Sequence, residues 1–335
     1  MKNRLLLLAA LSFLALDATL ASSNTVIAAN AKNLSQVAGT NAISPYTNLY
    51  GKDVKTVGIV SLSSILERQF LKRGILRLKE AGYKVKVSPN VYGPERASVE
   101  VRARAFEEAW LDPEIDILVL SRGGQGAVDA IQVIDWEKLR VRNDMRVIGF
   151  SDVTFVVNTM LTKGVGHPLS GPMLSSIGGT GLTKSTIEWL RKTYDGDELP
   201  VKKLKVVKAP EKTISGLGMA GLLERFVRLE EMGLLPDMTG RIVFIESLNT
   251  HSKFAREKLT ILQNKGVFDK AAAVVFGDFR VAEGSKTTIA EFAKAVKCPV
   301  FSGFSYGHIR ENLAIDFRRE YFISPKGILS SPACR

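Results

Sequence analysis

The segment Gly149-Phe150-Ser151-Asp152 closes the short apolar run Val147-Ile148-Gly149-Phe150 and puts a serine where a strand would end. In α/β folds ligands collect outside the carboxyl ends of the strands, so a side chain there can meet a substrate. A serine hydroxyl is a poor nucleophile until a neighbouring base takes its proton. The chain offers three histidines, His167, His251 and His308. His308 stands in Tyr306-Gly307-His308-Ile309-Arg310, a loop-like stretch that suits an accessible imidazole. A carboxylate must then hold the ring tautomer. Glu246, at the end of the strand-like run Arg241-Ile242-Val243-Phe244-Ile245-Glu246, is the natural candidate. A further polar signal at a strand end is Arg122-Gly123-Gly124-Gln125-Gly126, directly after Ile115-Asp116-Ile117-Leu118-Val119-Leu120.

Each of these has a plainer reading when taken singly. A Ser-Asp pair between a strand and a helix commonly caps the helix. A glycine cluster after a strand serves a tight turn or a phosphate loop, although this one lacks both the Lys-Ser/Thr of a Walker motif and the full dinucleotide spacing. His308 alone fits a structural histidine, and Glu246 alone a solvated or ion-paired acid. Gly-Phe-Ser-Asp-Val is also not the Gly-x-Ser-x-Gly elbow of lipases and esterases.

The elements that must position these residues are legible in outline. Val57-Gly58-Ile59-Val60 reads as a buried parallel strand. Leu71, Ile75 and Leu78 at helical spacing follow, Gly82 stops the helix, and Lys84-Val85-Lys86-Val87 alternates like a strand. Val99, Ala103, Phe106 and Trp110 line another helix, and Val153 to Leu161 a further one after the serine. Repeated strand, helix, strand units predict an α/β fold whose N-terminal domain is a doubly wound, mostly parallel sheet. Beyond a polar, lysine-rich stretch, Ala272-Ala273-Val274-Val275-Phe276 and strands near Pro299 and Ala314 predict a smaller C-terminal α/β domain. The expected boundaries are a flexible lead-in over 22–50, the serine domain over 51–175, an inter-domain connection over 176–215 and the C-terminal domain over 216–330.

In series, Ser121-Arg122-Gly123-Gly124-Gln125-Gly126, Gly149-Phe150-Ser151-Asp152-Val153-Thr154, His167 with Gly171-Pro172, Gly240 to Glu246, and Gly303-Phe304-Ser305-Tyr306-Gly307-His308 resemble the LD-carboxypeptidases. These muramoyltetrapeptide carboxypeptidases are serine peptidases, and the family includes the microcin C immunity peptidases. The resemblance runs from about Val54 to Ile323. It implies a catalytic Ser151, Glu246 and His308, with the serine on the N-terminal domain, the other two on the C-terminal domain, and the site at their interface. The chemistry would be acyl transfer without a metal or other cofactor. The backbone N–H groups of Gly124 and Asp152 are expected to form the oxyanion hole, and Arg122, with Gly123, to bind the substrate's terminal carboxylate through a bidentate fork. An equal alternative for Arg122 is pairing with a nearby acid. The sequence departs from the family pattern at Gln125, where tyrosine is common, at Gly218-Met219-Ala220-Gly221, at Ser247, at Asn249 and after His308; these positions bear on substrate contacts.

Composition narrows the setting. Lys2 and Arg4 precede the apolar run Leu5 to Leu16, with small residues around Ala21, as in a secretory signal peptide over 1–21. The run is too short to span a bilayer, so no stable membrane insertion is expected and the setting is periplasmic or secreted. The formal charge is +12; removing Lys2, Arg4 and Asp17 leaves 44 basic against 33 acidic residues, or +11. No zinc-finger spacing, aromatic-basic motif or long Lys/Arg run accompanies that charge, which argues against nucleic acid. Two cysteines, Cys298 and Cys334, are too few for a disulfide scaffold or a thiolate metal site. The expected partners are peptidoglycan-derived peptides, and the oligomeric state stays open, a homodimer included. The expected function is an exported carboxypeptidase that cuts the L-diamino acid to D-Ala bond of murein tetrapeptides in peptidoglycan turnover. A serine peptidase of other specificity, a muropeptide-binding envelope protein without catalysis, and a solute-binding protein are the alternatives.

Overall fold

Aliphatic and β-branched runs build five parallel strands in the computed structural model, which describes residues 43–281 and 284–334. They are β1 (Thr56–Val60), β2 (Lys84–Val87), β3 (Ile117–Leu120), β4 (Arg146–Gly149) and β5 (His167–Ser170). Every residue of β1 and β3 is buried, so these strands read as unbroken apolar runs rather than as alternating ones. Their spatial order is β2-β1-β3-β4-β5, with helices Arg68–Glu80, Val99–Leu111, Ala127–Val133 and Thr154–Lys163 making the crossovers. The winding direction reverses between β1 and β3, so the loops leaving these strands diverge and open a crevice at their carboxyl ends.

The later chain supplies β6 (Lys202–Lys203), β7 (Lys205–Lys208), β8 (Ile214–Leu222), β9 (Ile242–Thr250), β10 (Ala273–Val281), β11 (Val300–Ser302), β12 (Ile315–Asp316), β13 (Glu320–Ile323) and β14 (Ile328–Ser330). Eight of these form the second sheet in the order β6-β14-β13-β8-β9-β10-β11-β7, parallel from β8 to β11. Its two edge strands are separated in sequence by Leu204 alone, which is buried and donates its N–H to the Gly327 carbonyl at 2.8 Å. One short segment therefore supplies both edge strands of the sheet.

Three expectations about organisation differ from what is observed. The expected leader, 1–21, and the lead-in to residue 42 lie outside the described residues, but the end of the lead-in is folded: Tyr46, Leu49 and Tyr50 are buried. The Tyr50 N–H donates to Tyr83 Oη at 3.0 Å and Arg191 binds the carbonyls of Pro45 and Thr47, so aromatic anchoring overrides a polar local composition. The expected connection over 176–215 contains the helix Lys184–Asp195, whose Trp189 and Leu190 are fully buried, and both edge strands. Most of its lysines are divided between an amphipathic helix, which carries Lys184 and Lys192, and the edge strands, which carry Lys202, Lys203, Lys205 and Lys208, and composition alone does not distinguish such elements from a linker. The strand near Ala314, expected in the C-terminal domain, pairs as β12 with β5 of the first sheet, antiparallel. Residues from Ser44 onward accordingly form one compact unit with a continuous buried core. No helix among the described residues is long and apolar enough to cross a membrane.

The tightest helix contact lies at Gly178, where an added Cβ would collide with the Phe70 carbonyl and come within 2.8 Å of its carbon. Backbone cannot yield there as a side chain tip would, so Gly178→Ala is expected to cost about 3 kcal/mol through overpacking, measurable as a lower urea midpoint at unchanged slope.

Candidate active site

β4 ends at Gly149, and the chain passes through a 3-10 turn, Ser151–Val153, into the helix Thr154–Lys163. Ser151 has φ +63°, one of two non-glycine residues with positive φ among those described. That left-handed conformation is strained for a residue with a Cβ and survives only where the surroundings enforce it. Glycines supply the room: a Cβ on Gly149 would meet Val153 Cγ1 at 2.6 Å, and one on Gly123 would meet Ser151 Cβ at 2.9 Å and Oγ at 3.0 Å. The close approach comes from the loop after β3 rather than from a glycine two residues after the serine, which explains the missing Gly-x-Ser-x-Gly pattern. Ser151 does not cap its helix; its hydroxyl is turned to a ring.

That ring is His308, with Nε2 at 3.0 Å from Ser151 Oγ. His308 Nδ1 lies 2.6 Å from Glu246 Oε2, and the His308 backbone N–H donates to the same oxygen at 3.0 Å. Phe150 packs against the imidazole with ring centres 5.0 Å apart. Glu246 sits in the middle of β9, not at its end as expected, because the strand runs on to Thr250; it is fully buried and in register with Leu222, the last residue of β8. Burial pushes its carboxyl above the ordinary carboxylate range, His308 opposes that rise, and nearby Asp278 adds to it. Gly307 has φ +117°, and a Cβ on it would collide with Glu246 Oε2 and stand 2.9 Å from Glu246 Cβ. Gly307→Ala is therefore expected to push the ring from the carboxylate and cut turnover by about 100-fold, as displacements near 1 Å do; steady-state kinetics on folded protein check this.

The remaining expected residues gather around a cleft of about 600 Å³ lined by Arg122, Gly123, Gly124, Ser151 and His308, together with Phe70, Phe150 and Met173. Arg122 donates to the Ile65 carbonyl at 3.0 Å from within this cleft. Gly123 abuts the serine, and Gly124, φ +111°, presses on Ser64, where a Cβ would stand 2.7 Å from Ser64 Cβ. Asp152 is buried, and its side chain does work that its sequence context did not reveal. Oδ2 accepts from Ser63 Oγ at 2.8 Å and from the Ala127 N–H at 3.0 Å, so it caps the helix that starts at Ala127. Oδ1 pairs with Arg225 Nε at 3.1 Å. Ser63 and Ser64 follow β1, and that strand end next to the crevice is the signal in the sequence that points to them; nothing local marks Arg225.

The other histidines stand elsewhere. His167 begins β5, at the opposite end of the sheet from the crevice, and its Nε2 lies 2.6 Å from Asp316 Oδ1, tying β12 to β5. His251 is exposed at the start of the helix Ser252–Asn264. Asn249 has no described side chain. Cys298 is buried and Cys334 exposed, both as free thiols. A hydroxyl joined to an imidazole that is joined to a buried carboxylate can lose its proton to the ring, and the carboxylate stabilises the cation that results.

The family model described as the LD-carboxypeptidase N-terminal domain matches residues 57–169, and that described as the LD-carboxypeptidase C-terminal domain matches residues 215–321. The murein tetrapeptide carboxypeptidase of Pseudomonas aeruginosa is 22% identical over 280 residues, covering 77% of this chain and 89% of that protein. The microcin C7 self-immunity protein MccF of Escherichia coli is 22% identical over 313 residues, 78% of this chain and 90% of that one. Among solved structures, muramoyltetrapeptide carboxypeptidase from Oxalobacter formigenes superposes with a TM-score of 0.74 at 22% identity, covering 83% of this chain and 99% of that one. MccF in complex with glutamyl sulfamoyl guanosine gives 0.73 at 18% identity, over 84% and 97%. These likenesses extend the two-sheet α/β architecture over nearly the whole length of the compared chains.

Proposed function

The chain belongs to the LD-carboxypeptidase family and is a serine-type carboxypeptidase, and from that premise we propose that Ser151 is its nucleophile, His308 the general base and Glu246 the residue that orients and stabilises the imidazolium. The observation that carries this reading is the unbroken chain of contacts, 3.0 Å from Ser151 Oγ to His308 Nε2 and 2.6 Å from Nδ1 to Glu246 Oε2. Ser151 Oγ bonds to the scissile carbonyl carbon while its proton passes to Nε2. The C–N bond then breaks as that proton goes to the departing amine, and water, deprotonated by the same ring, releases the acyl group. The N–H groups of Gly124 and Asp152 receive the oxyanion, and Arg122 beside Gly123 takes the terminal carboxylate. The bond cut joins the L-centre of a diamino acid to the terminal D-alanine of a murein tetrapeptide, and the role is peptidoglycan turnover. The basic leader with its apolar run, Lys2 to Leu16, supports work outside the cytoplasm.

The test is release of D-alanine from a disaccharide tetrapeptide, followed by mass spectrometry. Release by the wild type sustains the reading; its absence, with Ser151 still labelled by a fluorophosphonate, discards the substrate and keeps the nucleophile. A second reading, cleavage of a microcin-like aminoacyl sulfamoyl nucleoside, is favoured by the extent of the match to MccF. Turnover of glutamyl sulfamoyl guanosine in place of the tetrapeptide would select it.

A further inference from the structure

We infer that Arg225 is a positioning residue for acyl transfer: it locks the peptide after Gly124 and the carboxylate next to the nucleophile into one rigid unit. The inference rests on the proposed role of Ser151. Arg225 stands in the first turn of the helix Leu223–Glu231, which leaves β8 directly beside Glu246. Its guanidinium reaches across to the first sheet, where Nε donates to Asp152 Oδ1 at 3.1 Å and Nη2 to the Gly124 carbonyl at 3.1 Å. The guanidinium carbon lies 5.5 Å from the centre of the Phe155 ring, a cation–π contact. The helix that presents it is itself anchored, since the Leu222 N–H donates to Thr154 Oγ1 at 3.0 Å and Asn158 Nδ2 to the Ala220 carbonyl at 3.1 Å.

The two groups that Arg225 holds are those flanking the reacting serine. Asp152 directly follows the nucleophile, and its buried side chain accepts from Ser63 Oγ, the Ala127 N–H and Arg225 Nε. The peptide joining Gly124 to Gln125 is gripped at both ends: Arg225 takes its carbonyl, and its N–H donates to Ser64 Oγ at 3.1 Å. Gly124 has φ +111°, a region in which glycine moves freely unless something restrains it. The Gly124 N–H belongs to the preceding peptide, so holding the following one does not fix it outright but narrows the freedom about Gly124 before substrate arrives, and a donor restrained beforehand acts with less reorganisation. A planar fork with several donors serves both partners at once; an ammonium offers a point charge and cannot reproduce that geometry. Because Arg225 belongs to the later part of the chain and its partners to the earlier part, the donor is aimed only when the two sheets are packed together.

Arg225→Lys and Arg225→Met test this. Both are expected to lower kcat by about 100-fold, the scale of a lost oxyanion donor, with KM within threefold of the wild type and phosphonylation of Ser151 by a fluorophosphonate slowed in parallel. The lysine variant keeps a positive charge facing Asp152, so it stays folded even if the methionine variant does not, and its loss of kcat isolates the forked geometry that also reaches Gly124. A lysine variant with wild-type kcat overturns the inference, as does a variant whose KM rises at unchanged kcat, which would make Arg225 a substrate contact. The phosphonylation rate needs no peptide, so a wild type inactive on tetrapeptide would refute the substrate reading and leave this inference still decided by the probe.

Discussion

Ser151→Ala is expected to abolish D-alanine release, lowering kcat by at least about 10⁴-fold while the protein keeps its fold and its affinity for tetrapeptide. The hydroxyl is the only atom removed. The residue's backbone, at φ +63°, lies in a turn closed by Gly123 against Ser151 and by Val153 against Gly149 rather than by Oγ, so the turn persists in the variant. Binding of an uncleaved tetrapeptide, measured by calorimetry, separates the two terms: the affinity is retained because Arg122 and the glycine loop are untouched. Release at the wild-type rate by the variant would remove Ser151 from the mechanism. A residual rate of the order of 10³-fold over water would not be surprising, since oxyanion donors and binding act without the nucleophile.

The second large effect is expected at Glu246. Glu246→Gln preserves the shape of the side chain but presents the ring with an amide, and a neutral partner can select the wrong tautomer; the expected loss in kcat is about 10⁴-fold. Stability moves the other way. Burial raises the Glu246 carboxyl above its ordinary range, so the folded state holds that proton more tightly than the unfolded chain does. The stability this contributes is fully present below the unfolded carboxylate value, about 4.3, and is lost as pH rises through the higher folded value. At neutral pH the wild type carries the cost of a buried charge, which the glutamine variant does not. The melting temperature of Glu246→Gln at neutral pH should therefore be no lower than that of the wild type. Its unfolding free energy should lack the decline with pH that the wild type displays above the unfolded carboxylate value. A variant that is both inactive and clearly less stable at neutral pH would mean that the carboxylate is a structural ion pair first.

The two central strands of the first sheet were legible because β1 and β3 are buried throughout and apolar in sequence; Val57 to Val60 and Ile117 to Leu120 stand within the runs that predicted them. The helix Thr154–Lys163 also agrees with the expectation from Val153 to Leu161. What escaped notice was polar in composition but apolar in placement. Lys184 to Asp195 resembles a linker by residue count, yet Trp189 is wholly enclosed and donates its indole N–H to the Ala314 carbonyl at 2.8 Å. Tyr46 to Tyr50 read as a flexible stretch from composition because the burial of an aromatic depends on the surface that meets it, and that surface, around Tyr83 and Tyr194, comes from far along the chain.

The candidate site divides along the same line. Residue type put Ser151, Glu246 and His308 among the candidates, because hydroxyl, carboxylate and imidazole chemistry belongs to the side chains themselves, but each has a plainer reading alone and only the resemblance in series joins them; Ser151 does follow the end of β4, whereas Glu246 stands in the middle of β9. Which of the three histidines meets the serine was a matter of tertiary structure, since Ser151 and His308 are 157 positions apart and Glu246 and His308 are 62. No local pattern determines distances over such separations; they follow from the order of strands in two sheets and the packing between them. The glycines could be read as permissive positions, but only the folded chain reveals that Gly123 makes room for the serine and Gly307 for the Glu246 carboxylate. Arg225 and the Asp152 carboxylate were invisible for the same reason. Their value lies in being brought together across the two sheets, 3.1 Å apart although 73 residues separate them in sequence, whereas the sequence alone determines only which side chains are available to meet.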